Sequence, residues 1–256
     1  MSAPGIVRRR WDGAIARLTL ARPPLNVLTI SMMEDLNAAL DDAAARPGIK
    51  AVLLDAEGKA FSAGVDIEDH MGDRAKPMLE AFHGIFRRLH ALDCLTVAAV
   101  QGAALGGGAE LATFCDLVIA SEKATIGQPE IRVGVFPPIA ALHYPLRVGQ
   151  HRALQLLLSG QAIGAAEALR IGLVDLVAPP DRLAETVEAE VSRFTAQSAA
   201  VLRLAKRAVR EAAGAPFEIA LSRLEDLYQH ELMATEDAQE GLKAFAEKRQ
   251  PVWANR

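Results

Sequence analysis

The chain has 256 residues, 51% of them apolar and only 5% aromatic, which suits a compact protein with one large core and excludes a disordered one. A net charge of −4 gives no reason to expect a nucleic-acid partner, and no stretch approaches the roughly 20 uninterrupted apolar residues of a membrane span. Cys94 and Cys115 lie in neither a CxxC nor a Cys/His cluster, so both read as small buried apolar residues and no metal is expected, while "MSAPGIVRRRWDG" lacks a signal-peptide apolar run and points to the cytoplasm.

In chain order, "AIARLTLARP" (residues 14–23) alternates apolar and polar residues and stops at Pro23-Pro24, as a strand does. "TISMMEDLNAALDDAAARPG" (29–48) predicts a helix with Ser31 as N-cap and Glu34 three residues on, ended by Pro47-Gly48. "KAVLLDAEG" (50–58) is short and almost wholly apolar, the mark of a strand buried on both faces. "AFHGIFRRLHAL" (81–92) predicts a helix, "LTVAAVQGAAL" (95–105) a buried strand, "AELATFC" (109–115) a short helix and "DLVIASE" (116–122) another strand. "RALQLLLSG" (152–160) and "AAEALRIGL" (165–173) add helices. The fold class is therefore α/β. From Ser198 onward apolar residues recur at helical spacing in "AAVLRLAKRAVREAA", "FEIALSRLEDLYQHELMA" and "EDAQEGLKAFAEKR" with no strand between them, which divides the chain into 1–197 and a helical part, 198–256. Such an appendage suits an oligomer interface.

Two glycine-bearing loops carry the chemistry. A helix opening at Gly107 or Gly108 offers unpaired N–H groups and the positive end of its dipole, with Glu110 in its first turn; the triplet Gly106-Gly107-Gly108 also suits plain close packing. The second loop, "GKAFSAGVDIEDH" (58–70), offers the Val65 N–H at a strand end. Two fixed donors from separate loops suit the charge that develops on a thioester oxygen. A second acid, Glu130, stands in "GQPE". Asp66, Glu68, Asp69 and His70 are consecutive enough to suggest a metal, but no further histidine stands at ligand spacing, so they read as a solvated cap. Asp116 reads as a backbone tether. "GAALGGG" contains no G-x-G-x-x-G, which disfavours a dinucleotide enzyme.

Together "FSAGVDI", "GAALGGGAELATFCDLVIASE", "GQPEIRVGVFP", "SGQAIGAAEALRIGLVDLV" and "TEDAQEGLKAFAEKRQP" resemble the crotonase, or enoyl-CoA hydratase/isomerase, superfamily from about Ile6 to Trp253. The resemblance implies a spiral of strand-strand-helix turns with a C-terminal helical region that forms a homotrimer or a dimer of trimers. It implies a coenzyme A thioester as substrate, no separate cofactor, and Val65 and Gly107 as the oxyanion hole. Glu110 and Glu130 correspond to the two catalytic carboxylates; the expected division has Glu110, ionised, activating water and Glu130, protonated, supplying the proton. Both acids together favour hydration over isomerisation. For the acyl group it implies Ala63, Asp66 and Ile67 from the first loop, with His83 and Phe86 from the helix that follows; Phe82 on that helix reads equally as core. Phe245 and Lys248 correspond to coenzyme A contacts, beside Arg249.

One segment departs from the straight-chain pattern. Where straight-chain hydratases continue through small glycine-rich residues, this chain reads "GVFPPIAALHYP": Pro138, Ile139 and Ala140 make a stiffer, bulkier wall in which proline removes a donor, with Phe136 and Pro137 beside them at the acyl group. With "PPLNVLTISMMEDL" and "AFHGIFRRL", this resembles the cyclohexa-1,5-diene-1-carbonyl-CoA hydratases of anaerobic benzoyl-CoA degradation. A straight-chain enoyl-CoA hydratase and a silent acyl-CoA binding module are the alternatives.

Overall fold

The computed structural model describes residues 6–256; the opening of the stretch read as lacking a signal peptide, residues 1–5, lies outside them. Strands β1 (Val7–Asp12) and β2 (Ile15–Leu20) form an antiparallel hairpin, followed by helix α1 (Ile30–Ala45) and strand β3 (Ala51–Ala56). Then come α2 (Ala75–Ala91), β4 (Leu95–Val100), β5 (Ala103–Leu105), α3 (Gly107–Thr113), β6 (Leu117–Ser121) and β7 (Thr125–Gly127). The remainder comprises α4 (Pro138–Val148), α5 (Gln150–Ser159), β8 (Ile163–Gly164), α6 (Ala165–Arg170), β9 (Leu176–Ala178), α7 (Leu183–Thr195), α8 (Ala199–Ala212), α9 (Phe217–Asp226) and α10 (Glu236–Ala246).

From β4 to β7 successive strands alternate between two sheets, so the chain advances as a spiral there. The larger sheet has the order β1-β2-β3-β4-β6-β9, parallel beyond the first hairpin, and the smaller has the order β5-β7-β8. Alternation along β3 sends Val52 and Leu54 to the main core and Ala51 and Leu53 to a second core under α7, which is why the strand reads as one apolar run.

Four sequence expectations change. The stretch 95–105 is two strands in different sheets, because at Gly102 the backbone passes Lys59 so closely that a Cβ would lie 2.0 Å from its carbonyl oxygen. Thr29, not Ser31, caps α1: its backbone is extended and its hydroxyl accepts from the Met32 N–H, while Ser31 is already helical. Asp69 is no solvated cap. It is buried, accepts from the Ile30 N–H (2.9 Å) and from Arg74 Nε (2.8 Å), and so pins the 58–70 loop to the start of α1. Finally, residues 217–234 are α9 followed by a wider π-helical stretch, Leu227–Leu232, rather than one uniform helix. Strand β1 escaped the sequence reading since it is an edge strand with Arg8, Arg9 and Arg10 in a row; such charge blunts an exposed edge and hides the apolar period.

Other readings hold. Asp116 accepts from the Thr96 N–H (2.7 Å) and Thr96 Oγ1 (2.9 Å), tethering β4, and both cysteines are buried. Past α7 there are only helices among the described residues, and α8 is tied to the core where Lys206 Nζ donates to the Cys94 carbonyl (2.6 Å). No helix among them is long and apolar enough to cross a membrane.

Candidate active site

The two glycine loops meet because the 58–70 loop pairs with β5. Phe61 N–H donates to the Ala103 carbonyl and Leu105 N–H to the Ser62 carbonyl, both at 2.9 Å, so Gly64 lies beside the opening of α3. A Cβ on Gly64 would lie 3.6 Å from the Gly107 nitrogen. The Val65 and Gly107 N–H groups thus adjoin, and neither is used by another backbone group of the described residues. Unspent donors at a short helix start are what an oxyanion needs.

Each glycine of the triplet has its own steric reason. A Cβ at Gly106 would stand 2.5 Å from Glu130 Oε1, at Gly107 2.7 Å from Val65 Cγ2, and at Gly108 2.5 Å from the Ser62 carbonyl oxygen. Gly106 also has φ +54°, which a side chain rarely adopts. Both readings of the triplet therefore apply: it allows close packing, and the packing brings Glu130 against the start of α3.

Glu110 and Glu130 face one cavity of about 700 Å³. Glu110, 2% exposed, sits in the first turn of α3, and its Oε1 accepts from the Ala140 N–H (2.8 Å). Ala140 is the third residue of α4. Pro138 opens that helix, at the position where a missing N–H costs nothing, so the proline pair removes no donor the site needs and leaves the next free N–H groups aimed at Glu110. Burial, with Glu130 adding to it, pushes the Glu110 carboxyl up to about 8 although the Ala140 N–H pulls the other way. Glu130, on the turn Pro129–Val133, is only half-buried; burial raises it too, and His70 nearby lowers it. The fully buried Gln128 amide bridges Tyr144 and Glu130. Its carbonyl accepts from Tyr144 Oη (2.8 Å) and its NH₂ donates to the Glu130 oxygens at 3.2 and 3.3 Å, since the reverse orientation would set oxygen against carboxylate. Glu110, pushed to about 8, therefore favours its protonated form at neutral pH, while the Gln128 NH₂ gives Glu130 a donor that favours its ionised form; the sequence expectation put the charge on Glu110.

Of the residues expected at the acyl group, Ala63, Ile67, Phe136, Pro137 and Pro138 line the cavity. Asp66, His83 and Phe86 do not. Asp66 turns away to accept from the Glu68 N–H (3.1 Å); Phe86 is core, edge-on to Phe82 and Phe114; His83 lies beside Phe82, its Nε2 without a partner. Instead α2 presents Met78 and Phe82, four residues apart on one face. His70, read from sequence as part of a solvated cap, and Arg132, which carried no sequence signal, also line the cavity. His70 Nδ1 is bonded to the Asp66 carbonyl (2.9 Å), a contact that only loop geometry could reveal. Phe245 and Lys248 are exposed and stand outside the cavity. Gln128 and Tyr144 carried no separate sequence signal beyond their nearness to Glu130.

A sequence-family model described as enoyl-CoA hydratase/isomerase matches residues 10–256. The chain is 42% identical over 257 residues to the cyclohexa-1,5-dienecarbonyl-CoA hydratase of Thauera aromatica, covering 100% of this chain and 98% of that protein. Among solved structures it resembles an enoyl-CoA hydratase subunit of Geobacillus kaustophilus (TM-score 0.91, 34% identity, 98% of each chain). It also resembles an enoyl-CoA hydratase of Mycobacterium smegmatis (TM-score 0.92, 29% identity, 97% and 98% covered).

Gly106→Ala should push a methyl group into the Glu130 carboxylate and lower kcat on the order of 100-fold with a smaller change in KM; parent turnover in steady-state kinetics would refute the close approach. Glu110 binds its proton more tightly folded, near 8, than unfolded, near 4.5, so its ionisation costs stability as pH rises through that window. Glu110→Gln should therefore melt higher than the parent at pH 8.5, by roughly 5 °C or more, with the gap closing near pH 5. Equal melting temperatures at both pH values would show that the burial cost is relieved elsewhere.

Proposed function

Because the chain belongs to the enoyl-CoA hydratase/isomerase family and is a hydro-lyase of the enoyl-CoA hydratase type, we propose that its substrate is cyclohexa-1,5-diene-1-carbonyl-CoA. Water addition would give 6-hydroxycyclohex-1-ene-1-carbonyl-CoA, a step in anaerobic benzoyl-CoA degradation. The observation that carries this reading is the wall at Phe136, Pro137 and Pro138 facing the two carboxylates. A stiff apolar surface suits a flat ring, and the Thauera aromatica relative, matched along its length, bears that substrate's name. Likeness to the Geobacillus kaustophilus structure supports a straight-chain enoyl-CoA as the second reading.

The Val65 and Gly107 N–H groups hold the thioester oxygen and stabilise the charge that gathers there as the new C–O bond forms. One carboxyl of the pair takes a proton from water while its oxygen bonds to carbon, and the other delivers a proton to carbon. The product has gained one water and the pair still holds one proton. Coenzyme A arrives with the substrate, so no separate cofactor enters the reaction. Loss of either fixed donor is worth on the order of 100-fold in rate.

Three exposed apolar side chains, Val209 (74%), Phe217 (73%) and Phe245 (86%), mark α8, α9 and α10 as a surface that another copy of the chain would cover. In the proposed homotrimer, or dimer of trimers, Phe245 and Lys248 would meet coenzyme A across the subunit boundary.

Incubated separately with the cyclic dienoyl-CoA and with crotonyl-CoA, the enzyme should lose the conjugated chromophore faster with the diene and yield a product one water heavier. Preference for crotonyl-CoA would return it to the straight-chain reading. Light scattering should give three or six chain masses; a fully active monomer would remove the subunit-boundary role of Phe245 and Lys248.

A further inference from the structure

Only Ala140 and Tyr144 are buried on α4, and they stand four residues apart on one face. Ala140 presents its N–H to Glu110. One turn on, Tyr144, 1% exposed, presents its hydroxyl to the Gln128 amide, which in turn meets both oxygens of Glu130. A single helix face thus addresses both acids, one directly and one through an intermediary.

We propose that Tyr144 is a positioning residue: its hydroxyl sets the orientation of the Gln128 amide and thereby decides which acid of the pair is ionised. The inference rests on the reading of Glu130 as one of the two working acids. An amide is nearly symmetric in shape, so only its neighbours select which end faces Glu130. Burial pushes the Tyr144 hydroxyl far up, so it stays a neutral donor throughout the working range. Donating to the amide carbonyl, it leaves the NH₂ end toward Glu130, and that donor favours the ionised carboxylate. Without the hydroxyl the amide carbonyl is buried with no donor, so only the Glu130 carboxylate is left to hold the NH₂ end in place and the amide turns more easily.

Other charged groups around Glu130 keep their places in this account. Glu110 faces it from α3, His70 from the turn Glu68–His70, and Arg132 lines the same cavity from its own turn. The Tyr144 hydroxyl also meets the Thr113 side chain and feels both acids at a distance, but its one hydrogen-bonded link to Glu130 runs through Gln128.

Tyr144→Phe tests this by steady-state kinetics across pH, with Gln128→Leu and the double variant beside it. Tyr144→Phe should lower kcat about tenfold while KM moves less than about twofold. Glu130 should then hold its proton more tightly, so the limb at which activity is lost on acidification should move to higher pH by about half a unit or more. Gln128→Leu should move that limb the same way, and the double variant should be no worse than Gln128→Leu alone, because Tyr144 acts through the amide. If Tyr144→Phe does not fold, the limb in Gln128→Leu decides, and an unmoved limb there overturns the inference. A folded Tyr144→Phe with a lower melting temperature and an unmoved limb makes Tyr144 structural only. Glu130→Gln separates the two layers: near-parent turnover there would sink the functional reading itself, whereas a dead Glu130→Gln with an unmoved limb in Tyr144→Phe sinks only the role of Tyr144.

Discussion

A carboxyl group with almost no access to water cannot carry charge cheaply, and the site is arranged around that fact at Glu110. Water is replaced by backbone N–H groups at the start of α4, too little to keep the group ionised at neutral pH. Glu130 differs from it: burial raises it too, but it is less buried, and the Gln128 NH₂ end and His70 both favour its ionised form. Two identical side chains thus differ in how readily they give up a proton solely through their surroundings, which is what proton delivery and removal within one turnover demands.

Those surroundings come from three directions, and the spiral brings them together. The smaller sheet carries β5 into the start of α3, and it carries β7 into Gln128 and Glu130. The 58–70 loop is held from both ends, by its pairing with β5 and by Asp69 at the head of α1, so the Val65 N–H is fixed before any ligand arrives. Donors that are already in place need no reorganisation as charge develops. Gly106, Gly107 and Gly108 are the places where these pieces touch at backbone distance.

Much of this was legible in the sequence, for physical reasons that differ by element. Buried strands such as β3 and β6 announce themselves by composition, and the two glycine loops by residues whose only advantage is the lack of a side chain. What stayed hidden depends on neighbours distant in the chain. Nothing local in "LTVAAVQGAAL" tells that Lys59 crosses at Gly102 and splits the strand. Asp69 looks like a surface acid until Ile30 and Arg74 close over it. His83 and Phe86 share a helix with Met78 and Phe82, and only the rotation of α2 decides which pair meets the cavity. Protonation was the least legible feature, because it is set by burial and by the orientation of one amide, neither of which a linear pattern encodes.

The start of α4 has a double life with consequences for how such an enzyme diversifies. Pro137 and Pro138 shape the surface that a substrate ring would rest on, and they also set where the helix begins whose next N–H groups and Tyr144 address the acid pair. Selectivity and acidity are thus mechanically coupled through a few consecutive residues. A change that widened the wall for another acyl group would also shift the helix start that addresses the acid pair, unless it kept the helix in register or were offset from the opposite side, at Gln128.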